Sequence, residues 1–120
     1  MSCNDQLFIS MARGDIFTFP FGLYIDNELA TEEMDHVYFT VKRSHYDHDF
    51  LFQKKTSDGS LVSDGEGGYV VTINPEDTDQ LDFGEYEFDI EVVKLPEIKK
   101  TFCGVLYLTN EVTHRNNEED

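Results

Sequence analysis

The stretch Ser44-His45-Tyr46-Asp47-His48-Asp49 puts two imidazoles and two carboxylates side by side. His45 and His48 could share a divalent cation with Asp47 or Asp49, because imidazole nitrogen and carboxylate oxygen are zinc's ordinary ligands. No cysteine and no separated second ligand pair accompany them, and a loop need not make its side chains converge. A solvated hairpin loop is therefore the favoured reading. Asp58, Asp64 and Glu66 stand among glycines and could offer oxygens to calcium, but their spacing is not that of an EF-hand. Gly65, Gly67 and Gly68 are explained by turns. Arg13-Gly14-Asp15 is the integrin tripeptide, and reads here as a glycine-enabled bend between two strands. Cys3 and Cys103 are the only cysteines. Neither has a His or CxxC neighbour, and both are read as free thiols. GxSxG, P-loop and Cys–His nucleophile patterns are missing. Carboxylate pairs are plentiful, but 25 acids make them by chance. No catalytic residue, metal site or cofactor is expected.

Charge bounds the partners. Nine Lys plus Arg against 25 Asp plus Glu leave a net charge of −16. Phosphate backbones are bound by cations, so a direct nucleic-acid role is unexpected, and anionic membrane surfaces are disfavoured on the same ground. Such a charge keeps a protein soluble and opposes self-association. Its sharper readings are a basic partner, a cation site or mimicry of DNA. No apolar run approaches the roughly 20 residues of a membrane span. Met1-Ser2-Cys3-Asn4-Asp5 lacks the basic and apolar regions of a signal peptide. Synthesis and first residence in the cytoplasm are the expectation.

The elements that must position these residues are strands. Phe17, Phe19, Phe21, Leu23 and Ile25 alternate along 15–25, and Val37, Phe39 and Val41 along 36–43. Tyr69, Val71 and Ile73 do so in 69–73. In 85–93, Tyr86, Phe88, Ile90 and Val92 alternate with Glu85, Glu87, Asp89 and Glu91. Period two with one apolar face describes a strand between a core and water. Weaker strands are read over 6–12 (Leu7, Ile9, Met11), 50–55 (Phe50, Phe52) and 100–109 (Phe102, Leu106, Leu108). Gly104 marks a point of close chain approach. Pro20 implies an edge position or a bulge. Asn74-Pro75-Glu76-Asp77-Thr78 reads as one helical turn, with Asn74 as cap and Pro75 at the first position. The whole is an all-β sandwich of about seven strands, with that turn before the sixth. Residues 1–113 form a single domain and 114–120 a flexible acidic tail.

Asp82-Phe83-Gly84-Glu85-Tyr86 matches the Asp-x-Gly-x-Tyr of an immunoglobulin tyrosine corner, in which the Tyr hydroxyl bonds back to upstream backbone. Asp82, Gly84 and Tyr86 are the structural residues of that motif. Phe88 stands where antibody domains place a cysteine, and Phe39 where they place the core Trp. The span from Arg13 to Thr113 resembles the small immunoglobulin-like domain at the N-terminus of phage baseplate upper proteins and related prophage tail proteins. Four segments carry the resemblance: Arg13-Gly14-Asp15-Ile16-Phe17, Val37 to Lys42, Pro75-Glu76-Asp77-Thr78 with Gly84-x-Tyr86-x-x-Asp89, and Gly104-Val105-Leu106 through Glu111-Val112-Thr113. The sequence ends after the domain, without the coiled coil or receptor-binding head of that family.

The resemblance implies a non-enzymatic structural or interaction protein, with other tail or baseplate proteins as partners and a homo-oligomer as one form. An acidic DNA mimic that inhibits a host enzyme, and a β-sandwich ligand-binding module, are the alternatives. The mimic requires a double row of carboxylates. The expected interaction residues are outward Val105 and Tyr107, on a strand almost free of charge, and the row Glu85, Glu87, Asp89 and Glu91, whose members stand about 7 Å apart. Docking is expected through the sheet that holds 100–109, leaving the acidic face for solvent or a basic partner.

Overall fold

The computed structural model describes residues 7–22, 24–25, 28–29, 33–44, 48–96 and 98–109. The described residues are mostly β and lie in two principal sheets. The strands are β1 (Leu7–Ala12), β2 (Phe17–Gly22), β3 (Tyr24–Ile25), β4 (Glu28–Leu29), β5 (His36–Lys42), β6 (Phe52–Lys55), β7 (Leu61–Ser63), β8 (Gly68–Ile73), β9 (Gly84–Lys94) and β10 (Ile98–Thr109). A helical turn, α1 (Pro75–Thr78), precedes β9, and a 3-10 turn covers Thr56–Asp58. One sheet runs β1-β10-β9-β5-β6 and the other β2-β8-β7, while β3 and β4 form a small hairpin. All pairings are antiparallel except that of β1 with β10.

Strands form at all seven places expected from alternation, but 15–25 yields β2 and, in a different sheet, β3, and β4 and β7 are additional, so that β3, β4 and β7 were not expected as strands of their own. These three are two or three residues long, too short to show a period. The strand at 50–55 starts later than expected. Phe50 lies outside β6 and is 51% exposed, whereas Phe52 is buried. Pro20 is in β2, an edge of the three-stranded sheet, where a missing N–H costs no ladder bond.

The core forms where the two inner faces meet. Val37, Phe39 and Val41 of β5 face Leu61, Tyr69, Val71 and Ile73 of the second sheet, and all are essentially inaccessible. Phe39 links the layers. Its ring centroid lies 5.6 Å from that of Phe19 on β2, edge to face, and 5.2 Å from that of Phe88 on β9. Phe19 continues the row to Phe17 and Phe21, and Phe21 stacks on Tyr69. The buried Tyr69 hydroxyl accepts from the Met34 amide at 2.8 Å.

Polar contacts fix the connections. The Tyr86 hydroxyl donates to the Asp82 carbonyl at 2.7 Å, the bond that Asp-x-Gly-x-Tyr implies. Asn74 and Asp77 form a reciprocal capping box on α1. The second oxygen of Asp77 is engaged twice, receiving the Asn74 amide at 2.8 Å and the Lys54 ammonium at 2.6 Å. Lys54 is buried on β6, so this pair ties an edge strand of one sheet to the turn that leads out of the other. The bend at Gly14 has φ +86°, and its amide donates to the buried Thr78 hydroxyl at 2.8 Å.

Gly104 shows why one strand position has no side chain. It pairs with Leu7 on one side and Phe88 on the other. A Cβ there would collide with the Leu7 carbonyl oxygen and stand 2.7 Å from both the Leu7 Cβ and the Phe88 ring. The close approach expected at Gly104 is thus made by this chain's own first strand.

That strand also overturns the reading of the cysteines. Cys103 is disulfide-bonded, not a free thiol. Its only possible partner within the chain, Cys3, lies outside the described residues. Sequence separation hid the pairing. Parallel addition of β1 sets Leu7, 97 residues away in sequence, opposite Gly104, the neighbour of Cys103.

Two stability effects follow. Gly104→Ala should cost about 1–3 kcal/mol by overpacking, read as a lower denaturation midpoint. An unchanged midpoint would mean that β1 gives way freely. Reductant, or Cys103→Ser, should each lower stability by about 2–4 kcal/mol. Melting curves that ignore reductant would show that the bond contributes nothing.

Candidate functional site

Alternation sends every second residue of the five-stranded sheet away from the core, and the register aligns those residues in rows. Val105 of β10 stands opposite Glu87 of β9, and Tyr107 opposite Glu85. Beyond Val105, on β1, stands Phe8, 65% exposed. The next rows along place Cys103, Asp89 and Thr40 together, then Thr101, Glu91 and Tyr38. Lys42 faces Glu87 from β5.

The two expected surfaces are therefore one. Val105 and Tyr107 share a face with Glu85, Glu87, Asp89 and Glu91, and the sheet does not separate a docking side from an acidic side. The reason is the antiparallel register, which matches outward residues of β10 with outward residues of β9. Phe8 joins this face, and the sequence reading missed it because the alternation of 6–12 drew attention to Leu7, Ile9 and Met11. The face thus grades from apolar at β1 and β10, through carboxylates on β9, to mixed Lys, Thr and Tyr on β5. No second row of acids flanks the first on either neighbouring strand, so the double row required of a DNA mimic is not built here.

Asp89 is the member of the row whose environment is altered. Burial between its neighbours pushes its carboxyl above the usual aspartate range. Lys42 pulls it down, and Glu91 adds to the rise. Ionised Asp89 is therefore held against a desolvation cost that Lys42 only partly offsets.

The other chemistry-bearing groups are committed to structure. Asp58 accepts both the amide and the hydroxyl of Ser60, at 2.9 and 2.6 Å, and these bonds, the side-chain one first, lower its pKa. Asp64 accepts the Glu66 and Gly68 amides at 2.7 and 3.0 Å, closing the turn between β7 and β8. The Arg13 guanidinium lies 4.3 Å from the Phe83 ring centroid and donates to the Leu81 carbonyl at 3.2 Å, so the Arg-Gly-Asp segment is folded against the chain. His45, Tyr46 and Asp47 lie outside the described residues. Among the described residues no three His, Cys, Asp or Glu side chains converge on a metal position, and no helix is long and apolar enough to cross a membrane.

The sequence reading also missed the Lys54–Asp77 pair. The signal was present, since Phe52 and Lys54 share the inward phase of β6, where a lysine is unusual.

Asp89→Asn should report the cost of this face. A raised carboxyl pKa means that the native state binds the proton more readily than the unfolded chain. Stability therefore falls as pH rises through the interval above the ordinary value of about 3.9. The variant should melt higher than the parent at neutral pH and lose that advantage at about pH 3. A variant less stable than the parent at neutral pH would mean that the carboxylate is net favourable there.

No protein-family model, curated protein or solved structure matches this chain.

Proposed function

We propose that the chain is a non-enzymatic immunoglobulin-like domain that works as a structural or interaction component of a phage or prophage tail or baseplate. It binds a neighbouring protein through the outer face of its five-stranded sheet. The observation that carries the binding reading is the mixed character of that face, where Phe8, Val105 and Tyr107 lie beside a row of carboxylates. Apolar residues exposed together on a chain of this charge have no role in solubility, and interfaces combine such a centre with a polar rim. The partner's complementary surface is an apolar patch flanked by Lys or Arg, and its cations would relieve Asp89 of its desolvation cost.

Several features support the immunoglobulin-like reading. The strand order places β1 parallel to β10 at one edge, and β2, β8 and β7 opposite. The helical turn precedes β9, the Tyr86 hydroxyl reaches the Asp82 carbonyl, and Phe39 and Phe88 pack together in the core. The disulfide at Cys103 supports an end location outside a reducing cytoplasm, such as the surface of a released particle, because disulfides persist there.

Mass spectrometry of particles purified from an induced host strain tests the assembly role. The chain should co-purify with tail proteins in fixed ratio, and its gene should lie among tail or baseplate genes. Its absence from particles and from partially assembled tails, together with a gene far from such neighbours, would overturn the reading. Val105→Lys with Tyr107→Glu should remove it from particles by at least tenfold while leaving the isolated domain folded by circular dichroism. Undiminished incorporation of that folded variant would move the interface elsewhere.

A further inference from the structure

The two principal sheets have four outer strands, β1, β6, β2 and β7. Three carry the usual protections against pairing with another chain. β2 contains Pro20, β7 is three residues long, and β6 is four residues long with Lys54 and Lys55. β1 has neither charge nor proline nor glycine over Leu-Phe-Ile-Ser-Met-Ala. Among the described residues it has a strand on one side only.

Its hydrogen-bonding phase follows from two contacts. The Arg13 amide donates to the Thr109 carbonyl at 3.0 Å, and the Met11 carbonyl accepts the Thr109 hydroxyl at 3.3 Å. The odd-numbered backbone groups thus face β10. Alternation along a strand then turns the amides and carbonyls of Phe8 and Ser10 toward the open edge.

We infer that β1 is a self-pairing edge, at which a second copy of this chain adds its own β1 antiparallel about a two-fold axis. The register is fixed by the pleat. Inward residues must meet inward residues, and the outward-turned backbones of Phe8 and Ser10 must supply the bonds. Pairing Phe8 with Ser10 of the second copy satisfies both conditions and places the two Ile9 residues opposite each other on the axis. Leu7 then meets Met11 of the other copy. Leu7, Ile9 and Met11 of both copies form one inward row that covers Leu7, now 41% exposed. The two five-stranded sheets become one continuous sheet.

Charge selects a second copy as the occupant. Like charges of −16 oppose any self-contact, so two copies can meet only where acids are distant. That condition holds at β1, because β1 and residues 102–109 of β10 carry no charge at all. The nearest acidic row, on β9, lies two strands in from the edge, at roughly 10 Å. A basic strand would gain little there, whereas an uncharged apolar strand with the same register fits, and this chain provides one. The inference does not depend on the tail reading, since the edge pairs whatever assembly the sheet face serves.

Sedimentation velocity of the full chain at about 50 mM and about 500 mM salt tests it, since screening reduces the repulsion. The chain should be dimeric, with a dissociation constant at least several-fold lower at high salt. The Phe8 and Ser10 amides should exchange with solvent more slowly as protein concentration rises. Ser10→Pro removes the outward donor and should give a monomer with an unchanged circular dichroism spectrum. Phe8→Glu, which leaves the backbone alone, should weaken the dimer at least tenfold and covers the case that Ser10→Pro does not fold. A strict monomer at both salts would overturn the inference, and so would a dimer that Phe8→Glu leaves intact with edge amides insensitive to concentration. Neither result bears on particle incorporation, so failure here is distinguishable from failure of the tail reading.

Discussion

The contact between Phe39 and its ring neighbours is the point on which the sandwich depends. Neither sheet alone can remove its apolar face from water, and Phe39 reaches Phe19 across the interface and Phe88 and Phe52 within its own layer. Aromatic rings bury large areas, and offset or edge-on pairing adds to that burial. Phe39 is fully enclosed, so the positions of β2, β5, β6 and β9 are all referred to one ring. A cluster of phenylalanines fills the centre, and the disulfide at Cys103 lies on the strand that receives β1.

Around that centre, polar groups decide the path of the chain between layers. Lys54 and Asp77 form a nearly enclosed ion pair, and Asp77 also closes the N-terminus of α1. Such a pair contributes little net stability compared with apolar residues of similar size, but removing one partner strands a buried charge. Its evident effect is to specify the connection. α1 is held against β6, the buried Thr78 hydroxyl receives the Gly14 amide, and Tyr86, near the start of β9, engages the Asp82 carbonyl just ahead of the strand. The acidic row on β9 is thereby set on the outer face beside β10, rather than turned toward the core.

The distribution of charge gives this protein its surfaces. Among the described residues the acids lie mostly in turns or on solvent faces, and Asp58 and Asp64 each close a turn. The strands of the three-stranded sheet carry no charge, and neither do β1 and the outer half of β10, where apolar edge and apolar face adjoin. The boundary between them and the carboxylates runs along the β9–β10 ladder, where each outward apolar residue faces an outward acid.

Alternation in the sequence determined that Phe39, Val71, Tyr86 and Leu108 would be inside and Glu85 to Glu91 outside, because a strand's side chains change face at every residue. Local chemistry determined the turn at Asn74–Thr78, the bend at Gly14, and the bond expected of Tyr86, since each is satisfied by residues close in sequence. Pro20 announced an edge strand by lacking a donor, and Gly104 a close approach by lacking a side chain. Tertiary structure alone decided how strands find one another. Period two states which face a residue takes but not which strand lies beside it, and that left three matters open until β10 paired antiparallel with β9 and parallel with β1. They were the disulfide at Cys103, the sharing of one face by Val105, Tyr107 and the carboxylates, and the exposure of Phe8 at an unprotected edge. Each depends on contacts between segments tens of residues apart, which no local pattern encodes.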